Sequence, residues 1–127
     1  MSTKSNILFG IYCPPHPQPL LAPELNQGYG NLRSAYDTLK TRIEESGADI
    51  ILVYSTTWPS IVGHQIQAHP EPEWTHVDDD FHFLGSMPYK FKIDSDFSNE
   101  YMEAAKKRGL HSRTVAYDGF PIDTGSI

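Results

Sequence analysis

A single cysteine, Cys13, stands among 127 residues, so no disulfide can close within the chain, and a reducing, cytoplasmic setting is the natural expectation. No base lies near Cys13 in sequence to activate it. A small buried residue at a strand end is therefore a stronger reading of it than a nucleophile. Basic clusters are equally scarce. Lys106-Lys107-Arg108 is the one run, in a chain of net charge −6, and the electrostatic footprint of a nucleic-acid binder is missing. No apolar run approaches the ~20 residues of a bilayer span, so no membrane partner is expected. Met1 to Asn6 passes into a short apolar run without the long core of a signal peptide. Apolar residues make up 39%, beside ten prolines and nine glycines. That balance implies long loops, or a core completed against another surface. The length suits one domain, expected as a single α/β unit over 1–127.

Periodicity supplies the elements. Ile7 to Tyr12 is a short apolar run of β-type residues stopped by Pro14-Pro15, and reads as a first buried strand. Leu32, Ala35, Tyr36, Leu39 and Ile43 share one face of a helix over Asn31–Ser46, which Gly47 would end in a left-handed turn. Asp49 to Ser55 is the strongest strand signal, a continuous apolar run of the kind found inside a sheet covered on both faces. Strand, helix and strand predict a right-handed βαβ unit with the two strands adjacent and parallel. Thr56 to Lys90 is long, irregular and rich in His, Pro and acid, with Ile61-Val62 and Phe81–Leu84 as its possible short strands. A second helix runs from Asp96 to Arg108, with Phe97, Tyr101 and Ala104/Ala105 inward, Ser98 or Asp96 as cap and Gly109 at its end. His111 to Tyr117 reads as a third main strand, and Asp118 to Ile127 as its exit. The expected architecture is a mainly parallel sheet with flanking helices. With no helix after that last exit, one sheet face awaits cover from a partner or from a longer polypeptide of which this is the N-terminal part.

Three loops follow these runs: Cys13-Pro-Pro-His16-Pro17, Ser55-Thr-Thr57-Trp58 and Ile122-Asp-Thr124-Gly125. In open α/β sheets ligands collect beyond the carboxyl ends of the strands. Oxygen-activating non-haem Fe(II) sites take two histidines and a carboxylate on one face and leave positions open. His16, braced by prolines behind the first strand, is placed as such a ligand. The long loop adds His64, His69, His76, His82 and Asp78-Asp79-Asp80, but without the i,i+4 pair of a helical zinc site and without cysteine. Solvated histidines beside an acidic patch are the plainer account. Trp58, Trp74, Phe81, Phe83 and Tyr89 fit either an aromatic pocket or an interface.

The stretches Gly10-Ile-Tyr-Cys-Pro-Pro-His16-Pro17, Ala48-Asp-Ile-Ile-Leu-Val-Tyr-Ser-Thr-Thr-Trp58 and Gly119-Phe-Pro-Ile-Asp-Thr-Gly125 resemble the class III extradiol ring-cleavage dioxygenases, the α-type subunits of the aminophenol-cleaving members above all. The resemblance covers almost the whole chain but about the N-terminal half of such a subunit. It implies that His16 stands at the position of one iron ligand. It also implies that Thr57 replaces the second histidine ligand and Thr124 the acid/base histidine of an Asp-His-Gly loop. The glutamate that completes the family's iron site lies outside these residues. A threonine hydroxyl is a poor ligand for Fe(II) and shuttles no proton near neutral pH. The resemblance thus implies a non-catalytic α subunit in a hetero-oligomer. Its β subunit would hold the Fe(II) and open the ring of 2-aminophenol or a catechol with O2, and Trp74, Phe81, Phe83 and Tyr89 would be the contact surface. Two rival readings are an active Fe(II) enzyme using His16 with His64 or His82, and a stand-alone metal-binding module on the His-rich loop.

Overall fold

The computed structural model describes residues 6–61 and 63–127. It is an α/β structure. A short helix α1 (Gln18–Leu21) and a 3-10 turn (Pro23–Leu25) precede the long helix α2 (Gln27–Ser46); strands β1 (His64–Gln67), β2 (Glu73–His76) and β3 (Met87–Lys90), helix α3 (Ser95–Lys107) and strand β4 (Ser112–Val115) follow. β1 and β4 form a parallel pair with His64 opposite Ser112 and Gln67 opposite Val115. β2 and β3 form an antiparallel ribbon in which Glu73 faces Lys90 and the two side chains pair at 2.8 Å.

The core gathers where α3 lies on β1 and β4. Ala68, Met87, Tyr89, Ala105, Val115 and Ile122 are buried there and elsewhere along the ribbon and its neighbours, with Ser98 and Ser112 among them. Small residues allow close approach. Ser98 Oγ donates to the carbonyl of Gln67 at 2.8 Å and Ser95 Oγ to that of Ala68 at 2.8 Å, so the start of α3 is fixed to the end of β1. Asp94, rather than Ser98 or Asp96, caps α3, accepting from the Phe97 amide at 2.9 Å. The inward face is carried by Ser98 and Ala105, while Phe97 and Ala104 are exposed.

Helix α2 begins at Gln27, a turn before the expected Asn31, because the Asn26 side chain accepts from the Tyr29 amide at 3.0 Å. Gly28 and Gly30 in its first turn have low helix propensity and conceal that start in the sequence. Gly47 ends it at φ 71°, as the left-handed closing turn requires. Its apolar stripe is half-buried except for exposed Ala35, and it packs on α1 and the Pro23–Leu25 turn.

The main correction concerns the two strongest strand signals. Ile7–Tyr12 and Asp49–Ser55 belong to neither ladder, and they are not adjacent strands with α2 packed on them. Ile51 is 62% and Tyr54 68% exposed. A continuous apolar run becomes a central strand only where other elements cover both faces. Here α3 packs on β1 and β4, and α2 lies against α1. The Asp49–Ser55 run meets α3 at its end, through a hydrogen bond between the hydroxyls of Tyr54 and Tyr101. The parallel pair is formed instead by His64–Gln67, inside the stretch expected to be irregular, and by the centre of the expected third strand. Phe81–Leu84 contains a 3-10 turn over His82–Leu84 rather than a strand. The Ile61-Val62 expectation falls partly on residue 62, outside the described residues, and Ile61 lies in neither ladder. Cys13 is exposed, not buried, since the run before it is not enclosed in a sheet.

Candidate functional site

The three loops meet. Tyr36 of α2 donates its hydroxyl to the carbonyl of Pro14 at 3.4 Å, which ties the first loop to the helix. The third loop passes so near the first that a Cβ on Gly125 would lie 2.8 Å from Pro15 Cβ, too close for any side chain without a shift. Glycine is needed at 125 for that approach.

The second and third loops are joined through Asp123, which is 9% exposed. Its Oδ2 accepts from Ser55 Oγ at 2.6 Å and from Thr57 Oγ1 at 2.5 Å; its Oδ1 accepts from Ser126 Oγ at 2.7 Å. Ser55 Oγ also accepts the amides of Thr57 and Trp58, at 3.1 and 3.2 Å, folding the second loop into a tight turn. Burial by itself would raise the pKa of Asp123. The three hydroxyls and its own backbone amide outweigh burial and hold the carboxyl below its ordinary range. Trp58 Nε1 donates to the carbonyl of Pro121 at 2.6 Å, a second link between the same loops.

Thr124 sits in a separate chain of hydrogen bonds. Its hydroxyl donates to Asp78 Oδ2 at 2.5 Å, and His76 Nε2 lies 2.9 Å from Thr124 Oγ1. A hydroxyl has one proton, so Nε2 of His76 is the donor in that contact. Asp78 Oδ1 accepts the amides of Asp80 and Phe81, at 3.1 and 3.0 Å. Burial again works to raise the pKa of this carboxyl, and the Thr124 hydroxyl, the two amides and His76 together bring it below the ordinary value.

Among the residues singled out in the sequence, Thr57 and Thr124 enter these networks, while His16 is exposed. The histidines of the long stretch diverge. His69 pairs with Asp118 at 2.6 Å, His76 with Thr124, and His64 and His82 are exposed. Among the described residues no three His, Cys, Asp or Glu side chains converge where they could hold a metal ion. The three loops offer one imidazole, that of His16, beside two threonine hydroxyls, a donor set that does not match the two histidines and a carboxylate of an oxygen-activating Fe(II) site. Tyr89, expected on a contact surface, is 7% exposed and accepts the Ile122 amide at 3.1 Å; Trp74 and Phe83 are exposed as a contact surface requires.

Sequence reasoning missed Asp123, Asp78 and His76 as the partners of the threonines. A signal was present for one of them, since Asp123 immediately precedes Thr124 in the loop that was singled out.

No family model matches the chain. It is 29% identical over 121 residues to the α subunit of 2-aminophenol 1,6-dioxygenase from a Pseudomonas species, an alignment covering 95% of this chain and 44% of that subunit. It is 30% identical over 121 residues to the β subunit of 2-aminophenol 1,6-dioxygenase from a Pseudomonas species, covering 89% of this chain and 40% of the other. The chain thus spans less than half the length of the curated relatives it matches. Along most of its own length it is similar to both kinds of 2-aminophenol 1,6-dioxygenase subunit, as the three loop motifs imply.

Proposed function

We propose that the chain is a non-catalytic α-type subunit of an extradiol dioxygenase that opens the ring of 2-aminophenol or a catechol with O2. An iron-bearing β-type subunit is its partner and carries the Fe(II) chemistry. Identity does not separate the two kinds of subunit, at 29% and 30%. The observation that carries the reading is the use made of the two threonines. Thr57 and Thr124 stand where the family motif has histidines, and each gives its only proton to a carboxylate, Asp123 or Asp78. Hydroxyls so engaged knit the loops together, and a threonine supplies neither the iron ligand nor the proton shuttle that a histidine at the same position would.

The exposed apolar runs support association. Ile7, Leu8, Phe9, Ile11 and Tyr12, with Ile50 to Tyr54, present large side chains to solvent, more than an isolated surface usually leaves uncovered. We assign these runs to the surface that the partner subunit covers in a class III extradiol complex.

Co-expression with a β-type subunit tests the reading. The chain is expected to co-elute with that subunit on size exclusion and to show no ring cleavage alone, and the complex is expected to cleave 2-aminophenol or catechol. A chain that runs as a stable monomer beside a fully active β subunit, or that cleaves the ring unaided, would overturn it.

A further inference from the structure

The ribbon of β2 and β3 has two outer edges, and they differ. The amides of Phe91 and Ile93 donate to the carbonyls of Pro72 and Pro70, at 3.0 and 2.9 Å, extending the ladder beyond the strands. Bonded pairs alternate with non-bonded ones in an antiparallel ladder. Trp74 and His76 therefore bond inward, to Tyr89 and Met87. Glu73 and Thr75 turn their N–H and C=O groups outward, as Pro88 and Lys90 do on the other strand. A proline at 88 removes no ribbon bond. It leaves the β3 edge short of an amide, and Lys90 guards the same edge. The β2 edge has neither device. Glu73, Trp74 and Thr75 are exposed. Among the described residues β2 pairs with β3 alone, and no further backbone bond reaches Glu73 or Thr75.

An open edge of this kind accepts an added strand. The β2 residues themselves fit a second copy of β2. Two copies meeting antiparallel about a two-fold axis must pair outward residues with outward residues. One register keeps both bonded pairs within the strand, with Glu73 opposite Thr75 of the copy and Thr75 opposite its Glu73. Trp74 then lies on the axis, facing Trp74 of the copy in the closer, non-bonded type of pair. An axis at Glu73 would set two carboxylates face to face. An axis at Thr75 would leave Glu73 to pair with Val77, beyond β2. In the remaining register no like charges oppose, and the Glu73 carboxylate is already paired with Lys90 across its own ribbon at 2.8 Å. Trp74, 60% exposed, gains a cross-strand aromatic neighbour.

We propose that β2 is a self-association edge, through which two copies of this chain form a symmetric dimer. The two ribbons join into one continuous antiparallel sheet with the Trp74 rings together at its centre. The inference goes beyond the subunit reading and does not rest on it, since the apolar runs assigned to the β-type partner lie in other segments.

Two measurements on the full chain test it. Sedimentation velocity over a wide range of concentrations should show a monomer–dimer equilibrium. Thr75→Pro removes an outward amide and no ribbon bond, and should weaken the dimer about tenfold, because one bond is lost on each side of the axis. Trp74→Cys in a Cys13→Ser background should give a disulfide-linked dimer on mild oxidation. Non-bonded antiparallel pairs hold their Cα atoms about 4.5 Å apart, within disulfide reach. Phe83→Cys in the same background, exposed but outside the ribbon, should give little cross-link. This comparison decides the matter even where Thr75→Pro perturbs the ribbon. Ile51→Asp should leave the dimer intact, so self-association and β-type pairing are read separately. A chain monomeric at every concentration, a dimer kept by Thr75→Pro but lost with Ile51→Asp, or equal cross-linking of the Trp74→Cys and Phe83→Cys chains would overturn the proposal.

Discussion

Thr57 and Asp123, 66 positions apart in the chain, are joined by a hydrogen bond of 2.5 Å from the threonine hydroxyl to the carboxylate. With Ser55 and Ser126 on the same carboxylate, this contact turns two loops into one unit around a buried anion with which no cation among the described residues pairs.

Acid should loosen that unit. Asp123 is held below its ordinary value of 3.8 in the folded chain. A depressed carboxyl contributes stability that is fully present above its unfolded pKa and is lost as pH falls through the folded value. Asp78 is shifted in the same direction and acts in the same window. Thermal unfolding followed from pH 7 to pH 2 should show stability falling below about pH 4. Asp123→Asn should flatten part of that slope and lower stability at pH 7 by about 1–3 kcal/mol, since all three hydroxyls lose a charged acceptor and the one facing the amide nitrogen loses its acceptor altogether. A variant with the wild-type acid profile would show that Asp123 does not hold the loops.

Ile51 offers a test of the exposed apolar run. A doubly covered strand would make Ile51→Asp unfold the domain by several kcal/mol. At 62% exposure, the substitution should change the stability of the isolated chain by no more than about 0.5 kcal/mol, as at other surface positions. The same variant should fail to co-elute with a β-type partner. Denaturant unfolding and size exclusion separate the two effects. An unfolded variant would place Ile51 in a core, and a variant that still pairs would remove this run from the interface.

Restoring imidazoles should not restore catalysis. Thr57→His with Thr124→His removes the hydroxyls that Asp123 and Asp78 accept from, and should lower stability by roughly 1–3 kcal/mol. Oxygen-uptake assays with 2-aminophenol and catechol on the double variant alone should stay at background. Ring cleavage by the double variant would mean that a third ligand lies within these residues, with Asp78 to Asp80 the first place to look.

The two long helices were legible because their signals are local: a stripe at helical spacing in α2, the closing glycines Gly47 and Gly109, an acid-rich start for α3. Gathering of the three loops was legible too, since Pro15 approaches Gly125 and Thr57 reaches Asp123. Strand pairing was not. Apolar runs such as Asp49–Ser55 state a need for cover, and which segments supply a ladder partner is decided by long-range contacts that periodicity does not encode. The polar segment His64–Gln67 carries no strand signal of its own, yet it pairs with Ser112–Val115. In the site, Thr57 and Thr124 drew notice for the histidines they replace in the family motif. Their hydrogen-bond partners became visible in the fold, because Asp78 and His76 lie some 46 and 48 positions from Thr124.

Iron binding by the isolated chain tests the central claim most directly. After anaerobic loading with Fe(II) and desalting, metal analysis should find well under one iron per chain, because on the proposed reading His16 is the lone family ligand retained and threonine hydroxyls are poor ligands for Fe(II). One tightly held iron per chain would contradict the non-catalytic account.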